Sequence, residues 1–209
     1  MEKITKQKRG VALSLMIAAL LAVTAFSFIS MENGSDDDGS TLGAAGDYNA
    51  GDIAAINLII KNNGLNWTCA DPADGSSVPS DWTGVTWSED DTDRRITKLG
   101  LSNTELFGDL DVSGLTALED LNCSTNVLES LNVSGLAALE TLYCNNNLLV
   151  SLDVSKNTAL RNLNCEYNVI GALDVSGLTA LESLKCGANK LIALDVTKNI
   201  LLEYLDCGL

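Results

Sequence analysis

The sequence predicts a β-dominated α/β superhelix: a solenoid whose short strands stack into one parallel sheet, with a helical cap at the amino end. Three observations carry this. From Leu99 onward a 21-residue unit recurs, Leu-x-x-Leu-x-Cys-x-x-Asn-x-Leu-x-x-Leu-Asp-Val-Ser followed by four looser positions. Its apolar residues fall into columns, such as Leu118, Leu139, Leu160, Leu181 and Leu202, then Leu121, Leu142, Leu163, Leu184 and Leu205. The cysteines Cys123, Cys144, Cys165, Cys186 and Cys207 keep the same beat. Self-similarity at a fixed period of this length marks a repeat architecture. One unit buries too little apolar surface to offset the ordering of its backbone, so stability is collective.

The chain opens with residues 1–30, which read as a signal peptide or a signal anchor. Lys3, Lys6, Lys8 and Arg9 precede an uncharged apolar run from Val11 to Ile29. As a helix at ~1.5 Å per residue the run is roughly 28 Å long, close to the ~30 Å hydrocarbon core and long enough for a transmembrane helix. Basic residues before it and acid after it fit the positive-inside bias. Ala25-Phe26-Ser27 is a poor cleavage site, so cleavage and retention both stay open. In either case export is expected, to the cell surface or into the medium.

Residues 31–46, MENGSDDDGSTLGAAG, lack aliphatic periodicity and read as a flexible acidic Gly/Ser linker. Residues 47–98 precede the repeats. Asp52 is read as a helix N-cap. Ile53, Ile56, Ile59 and Ile60 then share one helical face, and Leu58 widens it. Asn62-Asn63-Gly64 supplies a left-handed stop, giving a helix from about Ile53 to Asn62. After a loop and the motif WTGVTW (82–87), the stretch RITKLGL (95–101) alternates as a strand.

Residues 99–209 are the repeats. An irregular first unit carries Leu99, Leu101, Leu106 and Leu110, with leucine in the cysteine place. The last unit stops mid-beat at Cys207-Gly208-Leu209 without a polar closing unit, so truncation of the array is expected. Within each unit Leu-x-Cys is a short strand with alternate residues facing opposite ways. All five repeat cysteines are therefore expected as buried, reduced thiols in an inward file. Parallel side chains at strand spacing keep their Cβ atoms too far apart for a disulfide. A single file cannot wrap a tetrahedron around zinc either.

Asn126, Asn147, Asn168 and Asn189, three residues after each cysteine, are expected to satisfy main-chain groups of their own coil and its neighbour. A second polar column, Asp111, Asn132, Asp153, Asp174 and Asp195, allows a calcium-site reading. Capping of the following turn is favoured, because Asn132 takes the place without charge.

At these residues the chain resembles the leucine-rich repeat family, in particular its bacterial 21-residue class with a cysteine ladder. Residues 47–98 are similar to the amino-terminal cap of plant-type members, with Trp82, Gly84, Val85 and Trp87 in the motif. Trp87 stands where that cap carries a cysteine, so the cap disulfide is not expected and Cys69 is expected free. The resemblance implies a recognition module: an adhesin, a receptor ectodomain or a partner-binding scaffold.

Outward strand positions flank the inward file, Ser124 among them; the candidate binding residues are Asn122, Thr141, Tyr143, Asn145, Asn164, Glu166, Lys185, Tyr204 and Asp206. They vary between coils while the inward columns barely change, and their two tyrosines offer contact area at low entropic cost. This face is the expected binding surface for a protein or glycan. No catalytic residue, metal or cofactor is assigned. The chain has no histidine, which removes the commonest general base and most zinc sites. Its net charge is -15, and beyond residue 30 there are 9 basic against 27 acidic side chains, which disfavours nucleic acid and anionic membranes. Contact with a membrane is expected only through the amino-terminal segment. Two alternatives remain: a structural envelope or spacer protein, or the targeting region of an enzyme whose catalytic domain lies outside this chain.

Overall fold

The computed structural model describes residues 48–208. The expected export segment (1–30) and linker (31–46) lie outside the described residues. Among the described residues no helix is long and apolar enough to cross a membrane.

One helix, α1 (Ala50–Asn63), comes first. Nine strands follow: β1 (Val85–Trp87), β2 (Ile96–Gly100), β3 (Phe107–Asp111), β4 (Asp120–Asn122), β5 (Val127–Asn132), β6 (Thr141–Tyr143), β7 (Asn162–Asn164), β8 (Ser183–Lys185) and β9 (Tyr204–Asp206). The main sheet has seven strands in the order β1-β2-β4-β6-β7-β8-β9, all parallel after the antiparallel β1. Its register puts Leu99 beside Leu121, Leu121 beside Leu142, Leu142 beside Leu163, and so on to Leu205. The 21-residue period thus appears as aligned leucine files. A small parallel pair, β3 and β5, forms a second sheet. Later coils prolong it with single main-chain bonds: the amide N–H groups of Leu148, Val169 and Lys190 donate to the carbonyls of Leu128, Leu149 and Ile170.

The core is almost wholly aliphatic, running from Ile53, Ile56 and Ile59 of α1 to Leu184 and Cys186. Leu58 is 57% exposed, so it does not widen the buried face as the helical pattern implied.

The cap departs from expectation at Asp52. The helix begins three residues earlier than expected, and its N-cap is Asn49, whose side chain accepts from the Asp52 amide at 3.0 Å. The Asp52 carboxylate is fully buried and serves another purpose. It accepts from Arg95 Nε and Nη2 at 3.1 and 3.0 Å and from the Ile96 amide at 2.7 Å. Arg95 reaches on to the Thr116 hydroxyl. The ion pair therefore ties α1 to the start of β2 and to the first full coil. A buried carboxylate persists only when paired and hydrogen-bonded in this way. Gly64 closes the helix at φ 74°, the left-handed stop that Asn-Asn-Gly predicted.

Gly84 in WTGVTW is demanded by close approach. Its φ is +91°, and an added Cβ would lie 2.5 Å from the Gly100 carbonyl oxygen. This lets β1 lie against β2 and cover the first edge of the parallel sheet. Trp82 is buried, donates from its indole N–H to the Thr68 carbonyl, and stacks on Trp67. Cys69 is free and exposed.

Candidate recognition face

The repeats build their interior from two hydrogen-bonded files. Asn147 donates its amide to the carbonyls of Cys123 and Cys144 at 3.0 and 3.1 Å, and its Oδ1 accepts from the Leu128 amide at 3.0 Å. Asn168 and Asn189 do the same in the next two coils, and Asn126 bonds the carbonyls of Leu101 and Cys123, so each cysteine carbonyl from Cys123 to Cys165 receives two amides. Alternating carbonyls and amides run through the dry side of the stack. Buried main-chain groups of the bends are satisfied without water.

Four of the five ladder thiols, Cys123, Cys144, Cys165 and Cys186, are buried and free of disulfides. Burial pushes Cys123 and Cys165 up to about 12 and Cys144 well above its ordinary value, because a thiolate has no solvation there. Cys207 corrects the expectation of five buried thiols: it is exposed. The four earlier thiols are each covered by the next coil, and no described coil lies over Cys207.

The aspartate column caps turns. Asp111, Asp153, Asp174 and Asp195 accept at Oδ1 from the amide two residues on, each at 2.9 Å, and Asn132 does so at 3.1 Å. Bonds from Ser155 and Thr197 hold Asp153 and Asp195 below the ordinary carboxylate range. Among the described residues no cluster of three or more His, Cys, Asp or Glu side chains is placed to hold a metal ion.

The sheet's outer face carries the predicted site residues in three files. Thr141 follows Asp120 and precedes Asn162, Ser183 and Tyr204. Asn122, Tyr143, Asn164, Lys185 and Asp206 form the middle file. Asn145 and Glu166 stand in the third. All nine predicted residues are at least partly exposed, Tyr143 by 40% and Tyr204 by 49%. Ser124, another outward position, is buried; its hydroxyl donates to Asn122 Oδ1.

The face is not electrostatically uniform. Lys98 is paired with Asp120 at the cap end. Lys185 makes no ion pair among the described residues; its ammonium lies 5.4 Å from the Tyr204 ring centroid. Between these two ends, a depression of about 170 Å³ opens over Leu163 among Tyr143, Asn145, Asn162, Asn164, Ser183 and Lys185.

Three features escaped sequence reasoning. Asn157 and Asn199 alternate with Leu115, Leu136 and Leu178 among the looser positions. Their buried amides donate to two carbonyls of the preceding coil, Val133 and Leu136 for the first, Val175 and Leu178 for the second. The alternation of Lys-Asn with Gly-Leu was the available signal. Arg161 interrupts a glutamate file and donates to Glu182 at 2.6 Å. Tyr167, 60% exposed at φ 53°, extends the aromatic surface beyond the sheet.

Comparison with solved structures places this geometry. The functional domain of InlJ from Listeria monocytogenes, which includes a cysteine ladder, matches 56% of the chain at 34% identity and a TM-score of 0.52. The fold is the leucine-rich repeat solenoid. The leucine-rich repeat ectodomain of the receptor kinase SOBIR1 from Arabidopsis thaliana matches 78% of the chain at 22% identity, with a TM-score of 0.64 and 94% of its own length covered. The chain spans only 28% of the InlJ chain. No protein-family model matches the chain, and no curated protein does. Leucine-rich repeat architecture accounts for the division of labour seen here: inward files carry stability, and the outward files are left free to vary.

Proposed function

We propose that the chain is an exported recognition or adhesion module, not an enzyme, that binds a protein or glycan through the outward face of its repeat sheet. One observation carries this reading. Leucine, cysteine and asparagine recur almost unchanged on the inside, whereas the outer positions run Asn122, Tyr143, Asn164, Lys185, Asp206 in successive coils. A merely solvated face needs no exposed tyrosines, and Tyr143 and Tyr204 offer the rigid amphipathic contact area that binding surfaces use. The similarity to the InlJ domain and to a receptor ectodomain supports a protein-interaction role and an extracellular setting. The amino-terminal apolar segment would deliver the chain there and, if retained, anchor it.

The test uses arrays of extracellular proteins and of glycans, probed with the full chain and with Tyr143→Ala and Lys185→Ala. Both variants are expected to lower affinity for any captured partner about tenfold or more. Their melting temperatures should stay within about 2 °C of the parent, because surface changes of this kind cost under about 0.5 kcal/mol. Unaltered affinity in both variants would move the binding surface elsewhere. Ordered self-assembly with no captured partner would favour a spacer role instead.

A further inference from the structure

The depression between β6, β7 and β8 is lined almost entirely by side chains that both donate and accept hydrogen bonds. Among the described residues the Asn145 and Asn162 amides, the Ser183 hydroxyl and the Tyr143 phenol have no partner inside the protein. Asn164 uses only its Oδ1, which accepts from the Glu166 amide, leaving two N–H donors. The same chemistry is already consumed nearer the cap, where Asn122 holds Ser124 and Lys98 holds Asp120.

We infer that this depression is a subsite for one ring of a neutral sugar. The inference rests on reading the sheet face as a recognition surface and names the ligand class it takes. Sugar hydroxyls both donate and accept, as side-chain amides and hydroxyls do, whereas a carboxylate only accepts and an ammonium only donates. The exposed Tyr143 ring supplies an apolar platform for the C–H face of a pyranose. At about 170 Å³ the depression is well under the ~300 Å³ lower bound of pockets for drug-sized ligands, so it takes one residue of a longer chain.

Charge excludes the alternatives. No carboxylate lines the depression, so it holds no counter-charge for an amino sugar. A net charge of -15 repels a polyanion, and the single cation, Lys185, is turned over the Tyr204 ring. Protein hot spots need a desolvated apolar pocket for an aromatic or arginine anchor, whereas the Leu163 floor is covered to 1% exposure.

The full chain is titrated with cello-, manno- and galacto-oligosaccharides and N-acetylchitotetraose. Oligogalacturonate, a chitosan tetramer and a glutamate-rich peptide serve as charged counterparts. The readout is the NMR signals of the Asn145 and Asn162 side-chain amides. At least one neutral oligosaccharide should shift both signals, and Tyr143→Ala and Asn162→Leu should each weaken it about tenfold with little dependence on salt. A charged saccharide that binds more tightly than every neutral one, or the peptide alone shifting these amides, overturns the sugar assignment and leaves the recognition face standing. If no neutral sugar moves the two signals, the inference fails. The broader reading then fails only if Tyr143→Ala and Lys185→Ala are also silent toward every captured partner.

Discussion

Asn147 offers a sharp test of the stacked interior, because each of its bonds has a known neighbour. In Asn147→Ala the Cys123 carbonyl keeps the amide of Asn126, and the Cys144 carbonyl keeps that of Asn168. Losing those two donated bonds costs about 0.5–1.5 kcal/mol each. The Leu128 amide fares worse. Its partner is Asn147 Oδ1 at 3.0 Å, and a buried N–H left unsatisfied costs about 1–3 kcal/mol. The total is about 4 kcal/mol, a large share of the roughly 5–15 kcal/mol that holds a domain together. Urea unfolding followed by circular dichroism reads it directly. With a slope of about 2 kcal/mol per molar, the midpoint should fall by about 2 M at unchanged slope. Asn189→Ala should lose about half as much, since that side chain is partly exposed and water can replace it. A loss below about 1 kcal/mol for Asn147→Ala, or equal losses at both positions, would refute the continuous file.

Two further outcomes follow from the thiols. A thiol reagent should modify Cys69 and Cys207 quickly in the native protein and the four buried ladder cysteines only on unfolding; rapid native reaction of Cys144 would contradict the packing. Alkali should unfold the chain. Cys123 and Cys165 keep their protons up to about 12 when folded, against 9.0 for an ordinary exposed thiol, so the folded state binds protons that the unfolded state has released. The stability they contribute is complete below pH 9 and falls as pH rises from there toward 12. For these two thiols the slope is about 3 kcal/mol per pH unit, and a circular-dichroism titration should show unfolding between about pH 10 and 11. Replacing both by alanine should flatten that slope, and an unchanged slope would assign the alkaline transition to other groups.

The apolar columns were legible because a residue's place in a solenoid is set by its phase in the repeat. Leu121, Cys144 and Asn168 need no knowledge of the rest of the chain to be placed inside, and the Asn-Asn-Gly stop of α1 is equally local. Asp52 was misread for the opposite reason. An aspartate before an apolar helix face looks like a cap, and its engagement with Arg95 depends on a residue 43 positions later. Leu58 and Ser124 erred similarly: helical phase and strand alternation say which way a side chain points, not whether something covers it. Cys207 obeys the period and is still exposed, since burial in a stack needs the coil above.

The sequence by itself determined the stacking, the inward files and which positions face outward, because all three follow from a 21-residue period and the alternation of a strand. Only the tertiary structure decided which polar groups are spent and which are free. Asn122 is engaged by Ser124, Lys98 by Asp120, Arg161 by Glu182, while Asn145, Asn162 and Tyr143 remain unpartnered among the described residues. Most of those choices are made between neighbouring coils about 21 residues apart in the chain, through side-chain directions that no local pattern encodes.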